Sequence, residues 1–192
     1  MIKATPADKE LCLKILKDTF HNSYSARYVI KQDQKKDQRF QYLLEYSWQK
    51  ALMRGEVWLN DDKSACAIWL NSSKSAFSMK ALWLDLNLVF KSVGFRRIPK
   101  ILKRQKAIKK TQPTSAHYYL WYLGVDPSIQ GKGTGSSFMK ELLQQADINN
   151  MQVVLETANP KNLPFYERLG FKITHHLDYL GYPLKALVYQ PK

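Results

Sequence analysis

Three glycines at alternate positions, Gly131, Gly133 and Gly135, stand in the run Val125-Asp-Pro-Ser-Ile-Gln130-Gly-Lys-Gly-Thr-Gly135. Glycine lets backbone N–H groups crowd together, because no Cβ blocks the approach or forbids a positive φ. An apolar, aromatic run, Tyr118 to Leu123, precedes the loop, and a helical pattern, Ser136 to Asn149, follows it. Strand, glycine loop and helix start therefore succeed one another. N–H groups converging at a helix N-terminus suit an anion, above all a phosphate. The spacing excludes two familiar phosphate loops. A G-x-x-x-x-G-K-[ST] loop fails because Gly133 follows Lys132 and position 126 is Asp126. A G-x-G-x-x-G fingerprint fails because Ser136 stands where its last glycine is needed.

A second constellation lies downstream. Val153 to Thr157 is a short apolar run rich in β-branched residues, which reads as a buried strand carrying one acid, Glu156. Asn159-Pro-Lys-Asn162-Leu-Pro-Phe-Tyr166-Glu-Arg-Leu-Gly170-Phe171 follows it. Gln130, Gly133 and Gly135 resemble the [QR]-x-x-G-x-[GA] pyrophosphate loop of the GNAT acetyltransferase superfamily, and Val125-Asp126-Pro127 sits where that family often has V-x-P. The Asn159–Phe171 run resembles the second signature of the same superfamily. From Leu155 to Phe171 it looks most like the branch that contains puromycin N-acetyltransferase. The close resemblance spans Tyr118 to Phe171 and is loose before that.

The resemblance implies a fold, a cofactor and a reaction. The fold is α/β of the α+β kind: a central mixed, mostly antiparallel sheet of about seven strands flanked by helices. The cofactor is acetyl-CoA, its pyrophosphate on Gln130, Gly131, Lys132, Gly133, Thr134, Gly135 and Ser136, and its pantetheine arm along Leu123, Gly124 and Val125. The Lys132 side chain could equally lie in solvent. The reaction is direct transfer of acetyl to a primary amine, without an acyl-enzyme. Such transfer needs a neutral amine, although a free alkylamine has a pKa of about 10. It also needs a proton for the departing thiolate. Tyr166, seven residues after Asn159, holds the position of the family's tyrosine and is the expected proton donor, with packing between helix and sheet as the alternative. Asn159 is a cofactor-side or helix-capping residue, and Asn162 a cofactor contact or an N-cap.

The base is less legible. Tyr118-Tyr-Leu-Trp-Tyr-Leu-Gly124 carries no acid, so Glu156 on the next strand is the candidate. An ionisable group on an apolar strand is costly unless paired or functional. Glu156 could instead bind loop N–H groups. His117, at the start of a strand and expected to be exposed, is weaker. The adjacent His175 and His176 would point to opposite faces, which disfavours a shared metal.

The elements that must position these residues follow from pattern. Met1–Thr5 reads as a strand, Ala7–Phe20 as a helix with Leu11, Ile15 and Leu16 on one face, and Arg39–Met53 as a helix with Phe40, Leu43, Leu44, Trp48 and Leu52 inward. Gly55–Asn60 and Ser64–Leu70 read as a hairpin. Met139, Leu142, Leu143 and Ala146 mark the buried stripe after the loop, and Phe171–Leu177 and Lys185–Gln190 the last strands. Between the third and fourth strands lies the least family-like part, residues 72–116. Ala76–Val93 reads as one helix, Arg96–Lys110 as a basic stretch interrupted by Pro99, and Thr111–Ser115 as a mobile end.

Composition bounds the rest. With 192 residues, 45% of them apolar, one domain over 1–192 with a sizeable core is expected. Cys12 and Cys66 lack metal or redox spacing and read as buried small hydrophobes in a reducing compartment. The first residues lack the apolar core of a secretory leader, and no run of about 18 apolar residues exists, so a cytoplasmic protein without a membrane span is expected. Of the net charge of +14, residues 72–116 carry +10, with Asp85 their single acid. That charge admits a different class of function, a binding module for nucleic acid or an anionic surface, although no DNA-reading motif accompanies it. A solvated face is the plainer account. A small-molecule amine is the expected acceptor, a protein or peptide amine the second. The oligomeric state is open, a homodimer included.

Overall fold

A computed structural model describes residues 1–74 and 78–192. Seven strands form one sheet in the order β1-β2-β3-β4-β5-β7-β6, with β1 Ile2–Lys3, β2 Gly55–Leu59, β3 Ala65–Asn71, β4 His117–Val125, β5 Gln152–Thr157, β6 Lys172–His176 and β7 Lys185–Tyr189. Among the described residues only the β4–β5 pair is parallel. Among the described residues seven helices flank the sheet: α1 Lys9–Phe20, α2 Tyr24–Val29, α3 Lys36–Arg54, α4 Met79–Leu88, α5 Ile98–Thr111, α6 Thr134–Ile148 and α7 Leu163–Arg168. The mixed, mostly antiparallel α+β architecture is the expected one.

β3 explains why its sequence is apolar without alternation. Cys66 and Ile68 pack with α1 and α3, whereas Ala65, Ala67 and Trp69 pack with α6 on the other face. A strand covered on both faces has no polar side to show. The hairpin before it turns on Asp62, whose Oδ1 accepts from Ser64 N at 3.1 Å and from Asn60 Nδ2 at 2.6 Å, with Lys63 at φ 56°. On α6 the expected stripe of Met139, Leu142, Leu143 and Ala146 is buried, joined by Phe138.

Several expectations shift. On α1, Leu11 turns outward while Cys12 and Leu13 join Ile15 and Leu16 inside; the helix begins at Lys9, after a single tight turn over Pro6–Asp8. On α3, Ala51 rather than Leu52 completes the buried face. α2 was not expected; Ser23 caps it, its side chain accepting from Ala26 N at 3.1 Å. The start of the helix expected at Ala76 lies outside the described residues. α4 runs from Met79, with Ser78 as its cap, and continues into a wider π-type turn over Val89–Val93. Pro99 does not interrupt a helix but stands in the first turn of α5, where its missing N–H costs nothing. α5 packs through Ile101, Ala107 and Ile108 onto Leu177, Leu180 and Leu184, and Thr111, its last residue, is buried.

Candidate active site

The site begins with a divergence. β4 stays paired with β3 from Tyr118 to Val125, but with β5 only from His117 to Tyr119. Beyond Tyr119 the edge of β4 that would face β5 is free of strand partners. The β3–β4 register also jumps, from Ile68 opposite Tyr122 to Trp69 opposite Leu120, so Trp121 is an extra, bulged residue. A bulge bends its strand and increases local twist. A cavity of about 1030 Å³ occupies this region.

The glycine loop forms one end of the cavity, and its three glycines serve different ends. Gly131 and Gly133 hold φ of 84° and 87°, and a Cβ on either would meet nothing within 4 Å. Conformation, not crowding inside the protein, demands glycine there. Gly135 is helical, and its Cβ would touch Val125 Cγ2 at 3.4 Å. Gly133 caps α6, accepting from Ser136 N and Ser137 N at 2.9 and 3.0 Å. Thr134 and Gly135, first in the helix, have no carbonyl within it for their N–H groups. Gln130 folds back under the loop, Nε2 donating to Val125 O at 2.9 Å. Asp126 braces the approach, Oδ1 accepting from Ser128 N at 2.9 Å and Ser128 Oγ at 2.8 Å. These two bonds pull its carboxyl below the usual range. Ser136 lines the cavity with the loop, whereas Lys132 is exposed and off the cavity wall.

Leu123 and Val125 line the cavity, but Gly124 does not. Gly124 turns to α1, where an added Cβ would lie 3.1 Å from Thr19 Oγ1 and 3.2 Å from Leu16 Cδ2. Its lack of a side chain lets a helix approach the strand.

The same cavity carries titratable groups from β5 and α7. Glu156 is enclosed except toward the cavity and accepts from Tyr119 Oη at 2.6 Å. Burial pushes its carboxyl up from the ordinary 4.5, while the Tyr119 hydrogen bond and the Arg104 charge hold it back. No loop N–H reaches it among the described residues. Tyr166 lines the same cavity, its ring edge-on to Phe165 and Phe171 at 5.0 and 5.5 Å. Its hydroxyl has no hydrogen-bond partner among the described residues, and burial pushes its pKa up to about 12. Asn159 is exposed at the rim and caps the turn after β5, Oδ1 accepting from Lys161 N at 3.1 Å. Asn162 stands at the α7 N-cap position without capping it, its Nδ2 3.5 Å from Thr157 Oγ1.

His117, His175, His176 and the two cysteines stand apart from the cavity wall. His117 is buried, not exposed, with Nδ1 2.8 Å from Ser115 O, and it takes no part in the cavity wall. His175 and His176 are both exposed on β6, and no group of three or more metal-ligating side chains occurs among the described residues. Cys12 and Cys66 are wholly buried together; burial first, and the Cys12 contact second, push the Cys66 thiol up. Two further wall residues, Tyr119 and Arg104, escape a sequence reading. Arg104 looks like any cation of the basic run, and Tyr119 like any aromatic of β4.

Comparison with known proteins agrees with this geometry. Residues 100–173 match the acetyltransferase (GNAT) domain family. A stretch of 48 residues is 38% identical to glucosamine 6-phosphate N-acetyltransferase of Trypanosoma brucei brucei, covering 25% of this chain and 33% of that protein. A 63-residue stretch is 29% identical to an uncharacterized N-acetyltransferase of Gracilaria tenuistipitata var. liui, covering 33% and 35%. The chain thus spans between 33% and 41% of the length of the curated relatives it matches. In structure it resembles a histone acetyltransferase HPA2 and related acetyltransferase of Corynebacterium glutamicum, with TM-score 0.71 at 21% identity over 100% and 95% of the two chains. It also resembles arylalkylamine N-acetyltransferase 2 of Aedes aegypti, with TM-score 0.65 at 13% identity over 100% and 98%. Residues 100–173 are thus similar to the acetyltransferase (GNAT) domain family, and the fold of the chain is that of solved acetyltransferases. No described helix is long and apolar enough to cross a membrane.

Proposed function

We propose that this chain moves an acetyl group from acetyl-CoA to a primary amine of a small molecule, by direct transfer with both bound at once. One observation carries the reading: the Gln130–Gly135 loop, Glu156 and Tyr166, distant in sequence, line a single cavity where β4 and β5 part. In this reading residues 1–192 act as one domain, with 72–116 an insertion at the acceptor side, working in the cytoplasm where Cys12 and Cys66 stay reduced.

The residues fit the cofactor. Space is open beside Gly131 and Gly133, and the free N–H groups and positive end of the 15-residue α6 face a diphosphate bound there. The unpaired edge of β4 offers main-chain donors and acceptors to an amide-bearing arm at Leu123 and Val125. Asn159 and Asn162 complete the rim. Acetyl-CoA, when bound, supplies the activated thioester.

The protein's own groups then have distinct tasks. Glu156 accepts the proton of the incoming amine, and a carboxyl raised by burial is a better base than one in water. Tyr119 holds the Glu156 carboxylate in place through its 2.6 Å bond. Tyr166 keeps its proton at Oη to about pH 12 and is free to give it to the departing sulfur.

A small acceptor is supported by three things. The cavity is of the size that holds a cofactor arm and a compact ligand. Leu155–Phe171 resembles the puromycin N-acetyltransferase branch. The matched protein of Trypanosoma brucei brucei is a glucosamine 6-phosphate N-acetyltransferase. The test is release of CoA thiol over a panel of amines, antibiotics and peptides, beside thermal stabilisation by acetyl-CoA. Turnover of small primary amines is expected. Turnover of peptides alone would move the acceptor to a protein amine, and no stabilisation by acetyl-CoA would overturn the reading.

A further inference from the structure

Arg104 comes from the basic segment but does not share its solvated setting. It leaves α5 inward, is half-buried, and lines the cavity. Its Nε donates to Tyr182 Oη at 2.7 Å, and among the described residues its other nitrogens hold no hydrogen bond and no carboxylate pairs with it. Tyr182 is itself fixed, stacked at 4.6 Å on Tyr28, whose ring carries Lys100 Nζ at 4.0 Å on α5. The guanidinium is therefore held in position with its remaining N–H groups unused. A guanidinium stays charged at any ordinary pH. A half-buried charge with no carboxylate hydrogen-bonded to it gains when an anion arrives to take its unused N–H groups.

Resting on the acetyl-transfer reading above, we propose that the acceptor bears an anionic group, a carboxylate or phosphate, besides its amine, and that Arg104 holds that group. The planar fork of N–H donors matches either oxyanion by paired hydrogen bonds. Glu156 lies close enough to feel the Arg104 charge yet is not ion-paired with it, so room remains for one molecule to present its amine to Glu156 and its anion to Arg104.

The test uses matched amines that differ only in charge: 4-aminobutyrate against its amide, phenylalanine against its amide, and phosphoethanolamine against ethanolamine. Binding to the acetyl-CoA-loaded full chain is measured by calorimetry, and turnover by CoA-thiol release. The anionic member of at least one pair should bind tenfold or more tighter. Arg104→Met should abolish that preference and Arg104→Lys reduce it, with melting temperature and acetyl-CoA affinity retained in both. A panel in which charge makes no difference, or a preference that survives Arg104→Met, overturns the proposal. Calorimetry separates the two readings. Arg104-dependent binding without turnover would sink acetyl transfer alone, while turnover blind to acceptor charge would sink the anion site alone.

A different observation carries a second inference. Met79, Trp83, Leu86 and Phe90 recur at helical spacing along α4 and its π-type turn, and they are 77, 62, 51 and 61% exposed. Phe95, 60% exposed, packs edge-on to Phe90 at 4.8 Å. A continuous apolar face of this kind marks an interaction surface. Exposed Lys80, Lys91 and Arg96 flank it in sequence within the segment that carries +10. Two copies meeting here would bring like charges together, so the face fits an anionic partner. We infer that it rests on an anionic lipid surface, the aromatic and aliphatic side chains entering the headgroup layer and the cations meeting the headgroups. Sedimentation of the full chain with phosphatidylcholine vesicles, with and without phosphatidylserine, tests this. Binding should require phosphatidylserine, weaken in high salt and vanish in Trp83→Glu/Phe90→Glu. Absence of binding, binding that the double variant keeps, or dimerisation through this face would overturn it.

Discussion

Tyr119 and Glu156 join β4 to β5 at the last point where the two strands still run together. The phenol donates at 2.6 Å, although the strand register sets Tyr119 beside Val154, two residues earlier on β5. The bond leans forward into the opening, so the carboxylate is fixed where the sheet stops providing partners.

That bond sets the acid side of the activity profile. Glu156 is raised by burial, so the rate should climb with pH only above the ordinary carboxylate value of 4.5. Tyr119→Phe removes a contribution that lowers the pKa, so the acid limb should move to higher pH. Glu156→Gln should cost about 10²- to 10⁴-fold in kcat and leave acetyl-CoA affinity intact. The raised pKa also bears on stability. The buried carboxyl favours the fold while protonated and loses that advantage as pH rises from 4.5 through its folded value. Glu156→Gln should therefore flatten the dependence of melting temperature on pH across that window.

Tyr166→Phe should lower kcat by about 10²-fold or more while the stabilisation by acetyl-CoA persists. The hydroxyl holds its proton to about pH 12, so the wild-type profile should show no alkaline fall from this residue below that value. Equal kcat in the variant would remove Tyr166 from proton transfer.

The loop glycines should separate by mechanism. Gly133→Ala meets no neighbour but must hold φ 87°, so it should cost about 1–2 kcal/mol in urea unfolding. Gly133→Trp fills the open space as well and should abolish the acetyl-CoA shift in melting temperature.

Gly124→Ala should behave as a packing defect. Its Cβ would press on Thr19 Oγ1 and Leu16 Cδ2 at 3.1 and 3.2 Å, which calls for about 1–3 kcal/mol of destabilisation. Enlarging Thr19 to Val should not relieve it, whereas Thr19→Ala should recover part of the loss.

What the sequence shows well is whatever the backbone makes compulsory. Gly131 and Gly133 must be glycine for their φ, and the apolar period of α6 follows from one buried face; both are visible residue by residue. What it hides depends on distant neighbours. α2 is a six-residue helix held by one cap and by Ala26 and Tyr28 against other elements, so no period announces it. Leu11 and Cys12 exchange places because burial on α1 is set by the strands beneath, not by side-chain hydropathy. Gly124 reads as part of a cofactor strand, yet its bare Cα answers to α1. Arg104 is chemically the same as the solvated cations around it, and only the packing of α5 on Leu177–Leu184 turns it inward.

The extra residue at Trp121 decides which way half of β4 faces. Counting outward from Tyr119 in strict alternation would set Leu123 and Val125 with α1 and α3, and Gly124 against α6. The single inserted position reverses that parity. Trp121 and Tyr122 both lean toward the α1–α3 core, Gly124 meets α1, and Leu123 and Val125 turn to the loop side. Removing one residue there would shorten the chain only slightly, but it would exchange the two surfaces of the strand from Tyr122 onward.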